Sequence, residues 1–173
     1  VGLIGRAWAN VFARSGSEVR LWDPEPSVRA GAVALIAASL AELARHGLVT
    51  DAAGAAKRLS VHATLEEAVT GADLVQECGP ERVDAKQELF ARLDAAAPPG
   101  AILASSSSAI VASRFTETLK GRARCLIAHP VNPPHVVPIV ELCGAPWTDP
   151  TIVERARALY KTAGQVPITV KKE

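Results

Sequence analysis

Short apolar runs alternate along the chain with longer segments whose apolar positions recur at helical spacing. Six runs have the length and apolar content of buried strands: residues 18–23, 72–78, 101–106, 125–131, 136–143 and 166–170. The remaining pattern predicts helices at residues 4–16, 26–46, 64–69, 81–97 and 149–164. Strands that alternate with helices are typical of an α/β fold with a doubly wound, mostly parallel sheet.

Residues at the helix ends support these boundaries. Thr64 and Glu67 have the spacing of a capping box, and Pro150 falls in the first turn of the last helix. Gly47 and Gly164 follow helical segments, where glycine commonly ends a helix. In open α/β sheets ligands bind beyond the carboxyl ends of the strands, so the residues that follow each strand are the candidates for function.

Composition and charge limit the classes of function. The 173 residues suit one domain, residues 1–173, and 49% of them are hydrophobic. The absence of a run of about 18 apolar residues predicts no membrane span, and no leader pattern is expected at the start. A net charge of +1 with mixed signs predicts no nucleic-acid partner. Cys78, Cys125 and Cys143 lack a CxxC pair, which favours reduced thiols in a cytoplasmic protein.

The chain opens on VGLIGR, which matches the second half of a G-x-G-x-x-G dinucleotide-binding motif. Gly2 would let the backbone approach a pyrophosphate, and Gly5 would let the helix pack closely on its strand. The N–H groups near Leu3 and Ile4 would face the phosphates at a helix N-terminus. The first glycine and its strand would precede Val1. The alternative is an ordinary pair of turn glycines.

Asp23 ends the predicted strand 18–23 and lies eighteen residues after Gly5. A carboxylate there accepts hydrogen bonds from the adenosine ribose and repels a 2′-phosphate, which favours NAD over NADP. Together with the glycines, this predicts a Rossmann-type NAD site. The alternative for Asp23 is an ordinary residue of an Asp-Pro turn.

The stretch AHPVNPPHVVPIVEL, residues 128–142, places His129 and Glu141 on two apolar runs joined by a proline-rich turn. A carboxylate on one imidazole nitrogen orients the ring and leaves the other nitrogen to act as a base. Proton removal from a secondary alcohol needs this arrangement. The alternatives are a structural His–Glu pair and an isolated core histidine.

Two further polar residues follow predicted strands. Ser108 lies in ASSSSA, residues 104–109, where it could donate a hydrogen bond to a substrate oxygen, although most serines in such runs only cap helices. Asn132 could hold a carboxamide or a substrate oxygen. Its alternative is an Asn-Pro turn.

These stretches, with GLIGRAWA, QECGPERVDAKQELFARLD and ILASSSSAI, resemble the NAD-binding domain of the L-3-hydroxyacyl-CoA dehydrogenase family. The likeness runs over nearly the whole chain and is greatest to the branch that contains lambda-crystallin and L-gulonate 3-dehydrogenase. The resemblance implies oxidation of a secondary 3-hydroxyl by NAD. The substrate would be a 3-hydroxyacyl-CoA of fatty acid metabolism or a sugar acid. The resemblance implies that His129 is the catalytic base and Glu141 its partner, and that Ser108 and Asn132 contact the substrate. It implies cofactor contacts for Gly2, Leu3, Ile4, Gly5, Asp23, Glu81 and Lys86.

Without the resemblance, Glu81 and Lys86 would be taken for helix-start and surface charges. The family also continues into a helical C-terminal domain that completes the substrate pocket and the homodimer interface, and this chain ends before it. His135 stands where the gulonate branch usually has an aromatic residue, so the substrate, a 3-hydroxyacyl-CoA or L-gulonate, stays open. A non-catalytic, crystallin-like NAD-binding protein is the third alternative.

Overall fold

A computed structural model describes residues 1–173, with seven helices, seven strands and one short 3-10 turn at Arg122–Arg124. The helices are α1 (Leu3–Arg14), α2 (Pro26–Arg45), α3 (Ala52–Lys57), α4 (Leu65–Val69), α5 (Val83–Ala96), α6 (Ser113–Thr116) and α7 (Pro150–Thr162). The strands are β1 (Val19–Leu21), β2 (Leu59–Val61), β3 (Leu74–Glu77), β4 (Ile102–Ser105), β5 (Cys125–Pro130), β6 (Ile139–Gly144) and β7 (Val166–Thr169).

The strands form a mostly parallel sheet in two parts. Five strands are ordered β3-β4-β5-β6-β7, and only β5 and β6 are antiparallel. The strands β1 and β2 form a separate parallel pair. β1 is not hydrogen-bonded to β3, and the interruption falls where the first strand of a doubly wound sheet is expected. The predicted fold class is therefore confirmed, with the sheet divided at that point.

Helices cover both faces of the larger sheet, which makes three layers. On one face α1 and α7 bury an aromatic group of Trp8, Phe12 and Tyr160 against the strands. On the other face α5 and α6 bring Phe90 and Phe115 together, with ring centroids 4.7 Å apart. Because both faces are covered at β4 and β5, these two strands are apolar over most of their length.

Most of the predicted elements are confirmed to within a few residues, and so are their caps. Thr64 Oγ1 accepts from the Glu67 N–H at 3.2 Å, and the Glu67 carboxylate accepts from the Thr64 N–H at 3.3 Å. Gly47 and Gly164 have the positive φ angles, 74° and 81°, of helix C-termini. The run 136–143 pairs only from Ile139, because Pro138 cannot donate to a ladder.

The sequence pattern missed α3, β2 and α6. These elements have six, three and four residues, which is too short for a helical or strand period to appear.

The sequence pattern predicted no membrane span, but helix α2 meets the length and composition criterion for one. It has 20 residues and is long and apolar enough to cross a membrane by length and composition, with a mean hydropathy of 1.5 over its most apolar 18-residue window. Its buried residues Ala32, Ile36, Leu40 and Leu43 pack in one cluster with residues of α1 and α3. A core helix meets the same criterion, so this feature is weak evidence for a membrane span.

Candidate active site

A pocket of about 170 Å³ opens at the carboxyl end of β4 and runs along one face of β5 and β6. Its wall includes His129, Glu141 and Ser108, three of the predicted catalytic residues. Cys143 and Ile127 form part of its apolar wall. The position agrees with the rule that ligands bind beyond the carboxyl ends of the strands in open α/β sheets.

His129 and Glu141 are direct cross-strand partners in the antiparallel β5–β6 pair. Their side chains therefore lie on the same face of the sheet, and His129 Nδ1 is 2.9 Å from Glu141 Oε2. An ionised carboxylate can only accept, so it selects the tautomer with the proton on Nδ1. His129 Nε2 then has a free lone pair and no protein partner. The predicted proximity of the two residues is confirmed, and their catalytic roles remain a prediction.

The proline-rich turn after β5 is tied to the body of the protein from two sides. The Arg14 guanidinium donates to the carbonyl of His135 at 2.8 Å, and the Gln165 amide donates to the carbonyl of Pro134 at 3.2 Å. Asn132 is exposed in this turn, and it does not line the pocket with His129. The structure thus places Ser108 and His129 in one pocket and leaves Asn132 outside its wall.

Glu81 holds the loop after β4 by its backbone. One carboxylate oxygen, Oε1, accepts from the N–H groups of Ser108 at 3.0 Å, Ala109 at 2.9 Å and Ile110 at 3.3 Å. The hydroxyl of Ser107 donates to the same oxygen at 2.6 Å. The side chain of Ser108 is left exposed toward the pocket. Glu81 therefore binds the backbone of this loop and is not an ordinary charge at a helix start.

The environment of Glu81 predicts a pH dependence of stability. Partial burial raises the pKa of this carboxyl, but hydrogen bonds from Ser107, Ala109 and Ile110 and the charge of Lys86 outweigh it, so the pKa is lowered from its ordinary 4.5. A lowered folded-state pKa contributes stability that is present above pH 4.5 and is lost as the pH falls through the folded value.

We therefore expect the stability difference between wild type and Glu81→Gln to shrink as the pH falls from about 6 to about 3. Urea unfolding midpoints across that range measure it. Glu88→Gln, at an exposed position on α5, serves as the control. A difference between wild type and Glu81→Gln that stays constant with pH would contradict the assignment.

Lys86 corrects the expectation of a surface helix charge, since its side chain is only 2% exposed. Its ammonium lies 2.9 Å and 3.2 Å from the two carboxylate oxygens of Glu77 and 3.5 Å from Ser105 Oγ. Glu77 and Ser105 end the neighbouring strands β3 and β4, where they are directly paired in register. Sequence reasoning missed both of them. The available signal was their common position at the carboxyl end of a predicted strand.

A second polar group that sequence reasoning missed surrounds Ser106. Its hydroxyl oxygen accepts hydrogen bonds from the Trp8 indole N–H at 3.1 Å and from the Gln76 side-chain amide at 2.7 Å. The Tyr160 hydroxyl donates to the same amide side chain. These bonds join α1, β3 and α7 behind the loop, which limits where that loop can lie.

The N-terminus of α1 offers unpaired donors at the predicted phosphate site. The first intrahelical bond runs from the Arg6 N–H to the Gly2 carbonyl at 3.0 Å, so the N–H groups of Leu3, Ile4 and Gly5 have no helical acceptor. A side chain at Gly2 would project into open space, where a phosphate could approach. At Gly5 a Cβ would lie 3.7 Å from Cys78 Cβ, which is ordinary contact. The start of α1 therefore packs against Cys78, but sterics at this distance do not require glycine at position 5, and the role of Gly5 stays a prediction.

Asp23 follows β1, and its carboxylate lies beside Val1, just before the start of α1. It also accepts from the N–H of Glu25 at 3.0 Å, and Arg29 donates to its backbone carbonyl. The contacts with Glu25 and Arg29 fix the turn after β1, which keeps the carboxylate on the side of the sheet where α1 begins. The donors, the open space and the acceptor together fit the pyrophosphate and ribose of a dinucleotide.

Replacing this acceptor should change cofactor selection. We expect Asp23→Ser to weaken NADH binding by about 10- to 100-fold, because a hydrogen bond to a charged group contributes about 1.5–3 kcal/mol. The preference for NADH over NADPH should fall by at least as much. Calorimetric titration with both cofactors tests this, with Glu25→Gln as a neighbouring carboxylate control. Unchanged discrimination in Asp23→Ser would remove Asp23 from the cofactor site.

The divided α/β sheet, the unpaired N–H groups at the helix start and the His–Glu pair at the same edge are the features of a nucleotide-binding domain. The family model described as "3-hydroxyacyl-CoA dehydrogenase, NAD binding domain" matches residues 1–173. The chain belongs to this family, and its cofactor is NAD.

Relatives and solved structures agree with this membership. The chain is 40% identical to lambda-crystallin of Oryctolagus cuniculus over 175 residues, which cover 99% of this chain and 55% of that protein. It is 40% identical to an L-carnitine dehydrogenase of Pseudomonas sp over 173 residues, which cover 99% and 53%. The structure of 3-hydroxybutyryl-CoA dehydrogenase from Escherichia coli matches with a TM-score of 0.91 at 29% identity, over 97% of this chain and 36% of that one. The chain thus spans about half the length of the curated relatives it matches.

Proposed function

We propose that the protein oxidises a secondary 3-hydroxyl group to a 3-keto group, with His129 as the general base. The observation that carries this proposal is the 2.9 Å contact of Nδ1 with Glu141, which leaves Nε2 free in the pocket beside Ser108. Bound NAD supplies the hydride acceptor. His129 Nε2 takes the hydroxyl proton, and Glu141 stabilises the imidazolium that results.

The other predicted residues act around this step. Ser108 donates a hydrogen bond to the substrate oxygen and keeps it oriented toward His129. Asn132, in the exposed turn after β5, contacts the nicotinamide or a substrate carbonyl. Glu81 flanks the nicotinamide side of the cofactor. Lys86, predicted as a second contact there, is buried and acts through Glu81. The exposure of Ser108 toward the pocket and the attachment of its loop to Glu81 support these roles.

For the substrate we propose a small 3-hydroxy acid in preference to a 3-hydroxyacyl-CoA. The supporting observation is the higher identity to lambda-crystallin and L-carnitine dehydrogenases, 39–42%, than to 3-hydroxybutyryl-CoA dehydrogenases of known structure, 28–29%. L-Gulonate and L-carnitine are the two candidates. A 3-hydroxyacyl-CoA is the alternative, and a non-catalytic, crystallin-like NAD-binding protein is the second alternative.

The remaining proposals, on the substrate pocket, the oligomer and the location, follow the pattern of the family. We propose that residues outside this chain complete the substrate pocket and form a homodimer interface, so that residues 1–173 alone bind NAD without turnover. The half-length coverage of the relatives supports this proposal. We also propose a cytoplasmic location, supported by three unpaired thiols, two of them buried.

Parallel assays of the full-length protein test these proposals. NADH formation is followed with L-gulonate, L-carnitine and 3-hydroxybutyryl-CoA, and NADH binding is measured by calorimetry. Turnover of either free hydroxy acid supports the preferred substrate class, and turnover of the thioester alone supports the alternative. NADH binding without turnover of any secondary alcohol would support the non-catalytic alternative and contradict the proposed reaction.

A further inference from the structure

A buried ion pair lies directly behind the loop that carries Ser108. Lys86 and Glu77 have side chains 2% and 1% exposed, and the ammonium lies within 3.2 Å of both carboxylate oxygens. The Ser105 hydroxyl donates to the Glu77 carboxylate and accepts from the Ser107 N–H at 3.2 Å. The pair thus joins β3, β4 and α5 at the edge of the sheet where the pocket opens.

The same ammonium also faces the carboxylate that holds the loop. Lys86 Nζ is 3.7 Å from Glu81 Oε2, while Glu81 Oε1 accepts the N–H groups of Ser108, Ala109 and Ile110. Glu81 is 42% exposed, and the attraction of Lys86 adds to the hydrogen bonds that keep its carboxylate on the loop and away from solvent. Lys86 therefore lies between two carboxylates, one that is buried and one that binds the loop.

A second buried ion pair provides a comparison at the other end of the strands. Arg124 and Asp94 are 9% and 11% exposed, with an N–O distance of 2.9 Å, and they lie near the start of β5. Arg124 donates only to Asp94 and to the carbonyl of Pro98, so this pair joins structural elements without reaching the pocket. A buried pair is weak evidence for stability, because desolvation offsets its Coulomb energy. The pair at the pocket is distinguished by its further connection to Glu81.

We propose that Glu77 and Lys86 are positioning residues for the reaction. They hold the Glu81 carboxylate against the backbone of residues 108–110, and this contact sets the place of the Ser108 hydroxyl beside His129. The inference rests on the proposed function, because a positioned Ser108 matters only if it binds a reacting oxygen. Neither Glu77 nor Lys86 needs to contact the substrate in order to position Ser108.

The test uses a charge-free double variant of the full-length protein, Glu77→Gln with Lys86→Met, which avoids leaving one buried charge alone. We expect kcat to fall by about 10- to 100-fold, the effect of a misplaced catalytic contact, while NADH affinity changes by less than about threefold. The control is Asp94→Asn with Arg124→Met, which should leave kcat within about twofold of wild type. An equal loss of kcat in both double variants would overturn the inference.

A double-mutant cycle separates positioning from general destabilisation. In a Ser108→Ala background, removing the Glu77–Lys86 pair should lower kcat by less than about threefold, because the group it positions is already absent. Additive losses would overturn the inference. If the double variant does not fold, Glu81→Ala removes the link from the surface and must show the same loss and the same non-additivity.

Amide hydrogen exchange gives a readout that needs no turnover. The N–H groups of Ser108, Ala109 and Ile110 should exchange at least about tenfold faster in the Glu77→Gln/Lys86→Met protein and at the wild-type rate in the Asp94→Asn/Arg124→Met protein. Absence of turnover in the wild-type protein would contradict the proposed function. The exchange rates would still show whether the Glu77–Lys86 pair holds the loop. Unchanged exchange at these three amides would overturn the inference even if the wild type is active.

Discussion

Replacement of His129 by glutamine is expected to lower kcat by about 10²- to 10⁴-fold, the contribution of a positioned general base. NADH affinity should stay within about twofold of wild type, because His129 lies on β5, away from the phosphate and ribose site at α1 and Asp23. Glutamine keeps a polar group near Glu141 but cannot take a proton. Steady-state kinetics with the best substrate and calorimetric titration with NADH measure the two effects.

A matched control for this prediction exists on the surface. His46 Nε2 lies 2.9 Å from Glu42 Oε1 near the end of α2, the same separation as in the His129–Glu141 pair. The His46→Gln protein should keep wild-type kcat, because this pair is exposed and remote from the pocket. Equal turnover of the His129→Gln and wild-type proteins would refute the assignment of the base. Glu141→Gln should give an intermediate loss, since the base remains but its tautomer is no longer selected.

Replacement of Lys86 by alanine is expected to destabilise the protein by about 3–5 kcal/mol, because it leaves the Glu77 carboxylate buried without a cation. Glu77 is 1% exposed and cannot regain water without opening the edge of the sheet. Urea unfolding, analysed at constant m-value, measures the loss. Removing both charges, in Glu77→Leu with Lys86→Met, should recover most of it, because no unpaired charge is then left inside.

An exposed ion pair supplies the reference for this second prediction. Arg92 lies 3.1 Å from Glu66, but the two side chains are 44% and 55% exposed. Arg92→Ala should therefore cost about 1 kcal/mol or less. If Lys86→Ala cost no more than Arg92→Ala, Lys86 would not be the buried cation that the structure shows.

The parts of the fold and site that depend on local pattern were predictable. The amphipathic helices, the capping box and the proximity of His129 to Glu141 follow from residue spacing. A proline-rich turn between two strands favours an antiparallel pair, and side chains opposite each other in such a pair share a face. Asp23 and the glycines of VGLIGR were likewise visible, because a helix start and a strand end are local features.

Contacts between distant segments required the tertiary structure. Lys86 has the sequence context of an exposed helix charge, and only the packing of α5 on β3 and β4 shows that it is buried beside Glu77 and Ser105. Glu81 and the loop at residues 107–110 are some 26 residues apart, and no periodicity connects them.

The residues along this chain were therefore enough to predict the α/β class, a candidate dinucleotide site at VGLIGR and Asp23, and a possible pairing of His129 with Glu141. They could not show that Lys86 is buried, that Glu81 binds the serine loop, or that Asn132 lies outside the pocket wall. The physical reason is that local spacing determines which face of an element a side chain occupies. Which other elements meet that face depends on how the whole sheet and its helices pack.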